Sequence, residues 1–174
     1  MIYSIFGFLL CGLCVAYMPV HAQSSVLASG NWYKVAVEKH GVYKISHSTF
    51  KKMGFDLSKT DPRNIRIYGN EGGMLPQANA ATRAVDLIEN AIFVSGESDG
   101  IFDNEDYILF YGWGPNRWYP NGLIDFSNDN NIYSDLSYYF ININPSNTPL
   151  RLTSINSSAS PVSAARANAT RIKI

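Results

Sequence analysis

The feature that most constrains the fold is residues 96–112, where an acidic, glycine-containing turn leads directly into an apolar run. Asp99 and Gly100 predict a tight turn, because glycine accepts a positive φ and aspartate hydrogen-bonds to its own backbone. Asp103 can cap one short helical turn after it. The aromatic and β-branched composition of residues 107–111 then predicts a buried strand.

The carboxylates of this turn form a candidate calcium site, since calcium prefers about six to eight oxygen ligands. The acidic residues concerned are Glu97, Asp99, Asp103, Glu105 and Asp106. Their spacing differs from that of an EF-hand loop, which has oxygen ligands at alternate positions and ends in a glutamate. The alternative interpretation is that the aspartates cap turns on a solvated corner, which is their usual role in such segments.

Residues 1–22 have the features of a secretory signal peptide. An apolar core spans residues 5–17, Pro19 ends it, and residues 20–22 offer small side chains at the two positions that a signal peptidase recognises. No lysine or arginine precedes the core. A retained membrane anchor is the alternative, but the core is shorter than the roughly 20 residues that span a bilayer. We therefore expect export, with cleavage after residue 22 and no transmembrane segment afterwards.

Composition narrows the functions open to the mature chain. Both cysteines, Cys11 and Cys14, lie in the signal, so the rest has neither a disulfide scaffold nor a cysteine nucleophile. Its 14 basic and 14 acidic residues give no net charge with which to attract nucleic acid or an anionic membrane. About 150 residues suffice for one domain. The full sequence has 11 tyrosines, most of them after the signal, and together with frequent glycine, asparagine and proline they predict many short strands joined by turns.

The first mature segment predicts a β-hairpin followed by a short helix. Residues 32–39 alternate between apolar and polar side chains, residues 40–41 form a two-residue connection, and residues 42–46 return as the second strand. Ser48 is the predicted cap of a brief helix that continues to Met53, where the following glycine ends it.

His40 and His47 are the histidines of the mature chain. Neither has a cysteine or a second histidine at metal-ligand spacing, so both are predicted to occupy turn or surface positions. The sequence therefore assigns no catalytic, metal-ligating or cofactor-binding residue, and it predicts no cofactor.

The middle of the chain predicts further strands and connections. Residues 64–68 predict a short strand, and residues 69–73 a glycine-rich connection that lacks the Lys-Ser/Thr of a phosphate loop. Residues 77–82 predict an exposed loop. Residues 87–95 are apolar but interrupted by a Glu-Asn pair, and their second half predicts a strand that pairs with residues 107–111 across the acidic turn.

Residues 113–120 combine aromatic, glycine and proline residues, a composition that predicts an irregular loop. Trp113, Trp118 and Tyr119 offer flat aromatic faces that can stack on sugar rings while polar neighbours bind the hydroxyl groups. The alternative is that the loop closes the open end of a β-sandwich or packs against a neighbouring domain. In either case it is a candidate contact surface.

The C-terminal third predicts one more long strand and then a linker. Residues 133–144 form an apolar strand that is expected to be fully buried at its start, and residues 150–153 predict a last edge strand. Residues 154–170 form a Ser/Ala/Asn tract typical of a linker. A chain that finishes on a linker leads us to expect that something follows.

These patterns predict an all-β fold, mainly antiparallel and sandwich-like, with one or two short helices. The expected organisation is a signal peptide over residues 1–22, a β-rich domain over residues 23–153, and a linker or truncated tail over residues 154–174.

Five segments, taken together, carry a resemblance to a known family. They are WYKVAVEKHGVYKIS, the short helix that ends in MGF, DPRNIRIYGNEGGMLP, DLIENAIFVSGESDGIFDNEDYILFYGWGP and NIYSDLSYYF. In this order and spacing, residues 27–144 resemble the N-terminal region of the PorU-like proteins, the type IX secretion sortases of the gingipain-type cysteine peptidase family.

The resemblance implies an exported cell-surface protein of Bacteroidetes-type bacteria. Such a sortase removes C-terminal sorting signals from secreted cargo and attaches the cargo to surface lipopolysaccharide. It also implies a β-rich N-terminal domain followed by a caspase-like peptidase domain with a Cys/His dyad and a C-terminal β-domain. This chain stops where the linker to the peptidase domain is expected, so no catalytic residue of the family can be assigned on it.

Two functions remain open from the sequence. The first is a non-catalytic N-terminal module, either a truncated reading frame or a short natural product, that packs against the peptidase domain or a type IX secretion component at the outer membrane through residues 113–119. The second is an autonomous carbohydrate- or calcium-dependent binding module of the cell envelope. An enzyme is not expected from this chain alone, because no nucleophile with its base can be assembled from it.

Overall fold

The computed structural model of the protein describes residues 24–122, 125–146 and 148–153. The predicted signal peptide and the predicted linker at residues 154–174 lie outside the described residues. Within these described residues most of the regular structure is β-strand, with one α-helix, α1 (His47–Lys52), and several 3-10 turns. The strands are β1 (Tyr33–Val37), β2 (Gly41–Ser46), β3 (Ile65–Tyr68), β4 (Glu89–Asn90), β5 (Phe93–Val94), β6 (Tyr107–Gly112), β7 (Arg117–Pro120), β8 (Phe126–Asp129) and β9 (Ser137–Ile143).

The strands form three antiparallel sheets. The first has the order β1–β9–β3–β4, the second β2–β6–β5, and the third is the two-stranded pair β7–β8. Every pairing between these strands is antiparallel. The predicted fold class, all-β and mainly antiparallel with one or two short helices, is confirmed.

The inner faces of the two larger sheets share one hydrophobic core. Alternation along the strands turns every second side chain inward, so that in β6 Ile108 and Phe110 are buried while Tyr111 is exposed. Phe50 of α1 and Phe102 of the acidic turn close the core with edge-to-face ring contacts, their centroids 5.3 Å apart. The core residues are Val37, Ile45, Phe50, Phe55, Ile65, Ile67, Ile92, Val94, Phe102, Ile108, Phe110, Tyr139 and Ile141.

The prediction that β1 and β2 form a hairpin is wrong, because β1 pairs with β9 and β2 pairs with β6. Both strands do alternate as expected, with Val37 and Ile45 buried in the core. Alternation identifies the apolar face of a strand, however, and not the strand that lies beside it. The chain crosses between the two sheets at residues 38–40, where the Tyr43 hydroxyl donates to Lys39 O at 2.8 Å and accepts from Lys39 N at 3.2 Å.

The short helix after β2 is present, but its cap is Ser46 and not the predicted Ser48. Ser46 has the extended backbone of an N-cap, and its hydroxyl accepts from Thr49 N. The hydroxyl of Ser48 instead lies 2.9 Å from that of Ser46. The helix ends as predicted at Gly54, whose φ is +89°.

The pairing of β5 with β6 across the acidic turn is confirmed, with Phe93 opposite Leu109 and Val94 opposite Ile108. The polar pair that seemed from the sequence to interrupt this segment is itself the strand β4, which pairs with β3. The polar pair is tolerated there because the Glu89 carboxylate accepts a hydrogen bond from Arg66 Nη1 at 2.8 Å.

Strand β9 is buried in its middle and not at its start, which corrects the sequence prediction. Tyr138 is 40% exposed, whereas Tyr139 and Ile141 are fully buried. The glycine-rich connection after β3 begins where Gly69 lies against the Tyr139 ring, since a Cβ at Gly69 would meet that ring at 2.4 Å. A side chain at this position would therefore displace the central tyrosine of the sheet.

The predicted edge strand at residues 150–153 is reduced to a single parallel bridge between Ile92 and Arg151. Ile92 N donates to Leu150 O at 3.3 Å, and Leu152 N donates to Ile92 O at 2.9 Å. The segment is held mainly by the Arg151 side chain, whose contacts are described below.

Candidate binding surface

The aromatic segment, residues 113–120, is only partly the irregular loop that the sequence predicted. Its first four residues are irregular, but Arg117–Pro120 forms strand β7 and pairs with β8. The pairing places Trp118 opposite Asn128 and Tyr119 opposite Ser127. A polar partner strand thus orders aromatic residues that would otherwise have no regular conformation.

His40 fixes the irregular part of the aromatic segment to the rest of the protein. Its Nε2 lies 2.6 Å from Asn116 O, and its Nδ1 accepts from Gly114 N at 3.2 Å. Because one nitrogen must donate and the other must accept, His40 is the neutral tautomer with the proton on Nε2. The sequence predicted a turn position for His40, and the structure adds that the residue is half-buried and joins two loops.

Trp113 is anchored through its backbone and leaves part of its ring exposed. Its N–H donates to the Tyr139 hydroxyl at 2.6 Å, and burial raises the pKa of the Tyr139 phenol. The Trp113 ring meets His40 and Tyr111 edge-on, at centroid distances of 5.5 and 5.1 Å. The indole is nevertheless 39% exposed, so it can contact a partner without leaving its position.

The β7–β8 pair projects further aromatic side chains into solvent. Trp118 is 61% and Phe126 64% exposed. Tyr119 Oη donates to Asp129 Oδ1 at 2.9 Å, and this hydrogen bond raises the pKa of the Tyr119 phenol. The strand pairing therefore orders the backbone of these aromatic residues, and the Tyr119 hydroxyl is held by Asp129, although no core lies beneath them.

A cleft of about 420 Å³ opens beside these rings. Arg117 and Glu71 form an ion pair at one side of it. The lining residues are Glu71, Trp113, Arg117, Trp118, Tyr119 and Asp129. Flat aromatic faces next to charged hydrogen-bonding groups suit a ligand or protein surface that is partly apolar and partly polar.

The acidic turn, residues 96–106, differs from the aromatic segment because its carboxylates bond to their own backbone. Asp99 Oδ1 accepts from Ile101 N at 2.9 Å, and Asp103 Oδ1 accepts from Glu105 N at 3.0 Å. Asp106 is buried, and its Oδ2 accepts from Asp103 N at 2.9 Å. These contacts agree with the interpretation of the aspartates as turn caps.

The remaining acidic side chains do not converge with the aspartates. Glu97 accepts a hydrogen bond from Arg151 Nε at 2.8 Å, and the Glu105 side chain is exposed to solvent. Within residues 24–122, 125–146 and 148–153, no group of three or more histidine, aspartate and glutamate side chains is arranged to hold a metal ion. The structure does not bring the five acidic residues together as a calcium site.

Arg151 is a structural residue that the sequence analysis missed. Its Nη1 donates to Ile65 O, and its Nη2 donates to Pro62 O and Arg63 O, each at 3.1 Å. The Arg151 guanidinium also forms an ion pair with Glu97. It therefore joins the C-terminal segment, the acidic turn and the start of β3. No sequence pattern marks it, because its partners lie 54 to 89 residues away along the chain.

A second cleft, of about 450 Å³, lies beside the Trp32 and Tyr68 rings, which meet edge-on at 5.3 Å. The buried Asn142 side chain at its wall donates to Asn31 O at 2.8 Å. No sequence pattern predicted this cleft, since its aromatic residues come from separate segments. It carries no charged side chain among its lining residues.

The chain is similar in structure to a region of PorU from Porphyromonas gingivalis, which has been solved as a dimeric latent form. The two are 26% identical with a TM-score of 0.54, and the match covers 78% of this chain but 11% of the PorU chain. No family model and no curated protein sequence matches the chain. None of the described helices is both long and apolar enough to cross a membrane. The chain therefore has a PorU-like fold and spans a small part of PorU.

Proposed function

We propose that the chain is a non-catalytic, exported N-terminal module of a PorU-like type IX secretion sortase. The observation that carries this proposal is the PorU-like fold, which extends over 78% of the chain at 26% identity. The order of the resembling segments along the sequence supports the same assignment. The module would act outside the cytoplasm, in the periplasm or at the outer-membrane surface.

The side chains support a binding role over a catalytic one. The cysteines of the chain fall in the predicted signal peptide. Both ring nitrogens of His40 are engaged by backbone groups, so in this conformation the imidazole serves to join two loops. Catalysis by the whole sortase would then depend on other parts of the protein.

The aromatic segment is the surface that we assign to the partner, either the peptidase domain or a secretion component at the outer membrane. Exposed tryptophan and tyrosine side chains supply most of the binding energy in many interfaces. Here the Trp113 ring is positioned by its contact with His40, and the backbone of Trp118 is ordered by strand pairing, so little backbone entropy is lost when they are covered.

The test is association with a PorU-like sortase produced without the region that this chain matches. Trp118→Ala should weaken binding about tenfold or more, because a large aromatic contact is lost. The free energy of unfolding should change by less than about 0.5 kcal/mol, because Trp118 projects into solvent.

Tyr133→Ala is the matched control, since Tyr133 is 80% exposed and lies outside the aromatic segment. Binding should be measured by analytical ultracentrifugation and stability by urea denaturation. If the wild type, Trp118→Ala and Tyr133→Ala bind equally well, the aromatic segment is not the contact surface. Failure of the wild type to bind would contradict the proposed function itself.

A second candidate function is carbohydrate binding in the cleft beside the aromatic segment. The observation that favours it is the combination of three aromatic rings with Glu71, Arg117 and Asp129 around one cleft. Titration with neutral and acidic oligosaccharides should then change the tryptophan fluorescence of the wild type and leave Trp118→Ala unaffected. An unchanged emission spectrum over the whole panel would reject this candidate.

A further inference from the structure

The outer face of the β2–β6–β5 sheet, which points away from the core, is mostly apolar. Val42 is 60%, Phe93 40% and Tyr111 44% exposed. Tyr107 and Leu109 lie between them and are half-buried. The residues of this outer sheet face are Val42, Lys44, Ser46, Phe93, Tyr107, Leu109 and Tyr111.

The strand register makes these side chains one continuous surface. Val42 lies directly opposite Tyr111, and Leu109 lies between Lys44 on one neighbouring strand and Phe93 on the other. Directly opposed side chains on one sheet face are in contact range. The outer sheet face is therefore a patch across three strands, with Lys44 as its charged member.

The outer face of the β1–β9–β3–β4 sheet has a different composition. There Arg66 pairs with Glu89 at 2.8 Å. The N-terminal segment covers part of the same face, where Asn142 donates to Asn31 O at 2.8 Å. One ion pair and the chain's own segment thus occupy part of that outer face, where Tyr138 stays 40% exposed, whereas three large apolar side chains remain exposed on the β2–β6–β5 face.

An antiparallel sheet with one face in water normally carries polar side chains on that face. Exposed apolar patches of this kind mark protein interaction sites. The outer sheet face also continues into the aromatic segment, because the rings of Tyr111 and Trp113 lie 5.1 Å apart. Both surfaces are therefore suited to one partner.

We propose that the outer sheet face is covered by another domain of the longer PorU-like polypeptide. The argument for this partner is length, since the chain matches 11% of PorU and most of that protein lies outside the match. The covering surface is apolar and places a carboxylate opposite Lys44, whose Nζ now lies 4.0 Å from the Tyr107 ring. This inference rests on the proposed function and names the face that the module buries.

The experiment is site-specific photo-crosslinking in the bacterium that produces the protein. Tyr111→p-benzoylphenylalanine places the probe on the outer sheet face. Tyr138→p-benzoylphenylalanine is the matched control, because Tyr138 is 40% exposed on the opposite outer face. A third probe at Trp118 reports on the aromatic segment. Crosslinked peptide pairs are identified by mass spectrometry, which detects partners in the same polypeptide and in a separate one.

The expected result is a crosslink from position 111 to a sortase domain outside the region that this chain matches, with several-fold less from position 138. A crosslink from 111 to a second copy of this chain would overturn the assigned partner. Crosslinks from 118 but not from 111 would overturn this inference and leave the proposed function standing. The absence of any crosslink from position 111 or 118 to a sortase domain or to a secretion component would reject both.

Independent support comes from reversing the charge. Lys44→Glu should weaken association with the sortase, whereas Lys34→Glu should not. Lys34 is the matched control, because its Nζ lies 3.5 Å from the Tyr138 ring on the other sheet. An equal loss of affinity in the two variants, or no loss of affinity in Lys44→Glu, would contradict the proposal of a carboxylate opposite Lys44.

Discussion

The acidic turn and the aromatic segment were both candidate binding regions in the sequence, and the structure separates them. Asp99, Asp103 and Asp106 use carboxylate oxygens to cap their own backbone. Trp113 and Trp118 are held through their backbones and leave their rings exposed. A polar cluster whose hydrogen bonds are already made is part of the scaffold, whereas exposed rings on an ordered backbone remain available to a partner.

The surroundings of two glycines show the same difference. Gly96 in the acidic turn and Gly122 beyond β7 both have a positive φ, of +77° and +96°. A Cβ at Gly96 would lie 1.7 Å from Asp106 Oδ1, whereas a Cβ at Gly122 would meet no atom of the described residues within 4 Å. The acidic turn is close-packed, and the end of the β7–β8 pair is open.

Arg151→Ala should have the largest effect on stability. The substitution removes the guanidinium that joins the acidic turn to the start of β3 and leaves Glu97 and three backbone carbonyls without it. Because hydrogen bonds of charged groups contribute more than neutral ones, we expect a loss of about 2–3 kcal/mol in the free energy of unfolding, measured by urea denaturation.

Arg151→Lys is the control for this prediction. Lysine keeps the charge but cannot reach several acceptors at once, so it should recover part of the lost stability. A change below about 0.5 kcal/mol in Arg151→Ala would show that the acidic turn does not depend on this contact.

Gly96→Ala should cost more than Gly122→Ala. Both substitutions place a β-carbon at a positive φ, which costs about 1–2 kcal/mol. Gly96→Ala must in addition displace the Asp106 carboxylate, so its melting temperature should be the lower of the two. Similar melting temperatures would mean that the acidic turn is no more tightly packed than the end of the β7–β8 pair.

Calcium should have the smallest effect. The carboxylates of Asp99, Asp103 and Asp106 already accept backbone hydrogen bonds, so millimolar calcium should leave the melting temperature of the wild type unchanged. Magnesium at the same ionic strength is the control. A rise in melting temperature with calcium alone, lost in Asp99→Ala, would restore the acidic turn as a binding site.

Local signals in the sequence were sufficient for the elements that depend on local chemistry. The apolar run of β6, its pairing with β5 across the acidic turn, and the glycine that ends α1 all follow from neighbouring residues. The turn-cap interpretation of the aspartates, one of the two that the sequence left open, agrees with their backbone hydrogen bonds, because side-chain to backbone bonds over two or three residues are a local property.

The features that depend on distant partners could not be predicted in the same way. The alternating pattern of β1 fitted a hairpin equally well, yet its partner is β9, about a hundred residues away. Strand β7 forms because β8 pairs with it, although neither has a strong strand composition. Arg151 lies between two leucines with no pattern around it, and only the folded chain brings its acceptors together.

Hydrogen exchange of the chain, with and without a PorU-like sortase that lacks the matching region, tests the central distinction most directly. Binding should slow amide exchange in residues 113–120 and in Phe126–Asp129, because the partner covers the exposed rings there. Exchange in residues 96–106 should stay the same, because those backbone groups are already satisfied within the turn. Protection of the acidic turn, with unchanged exchange in the aromatic segment, would contradict the account.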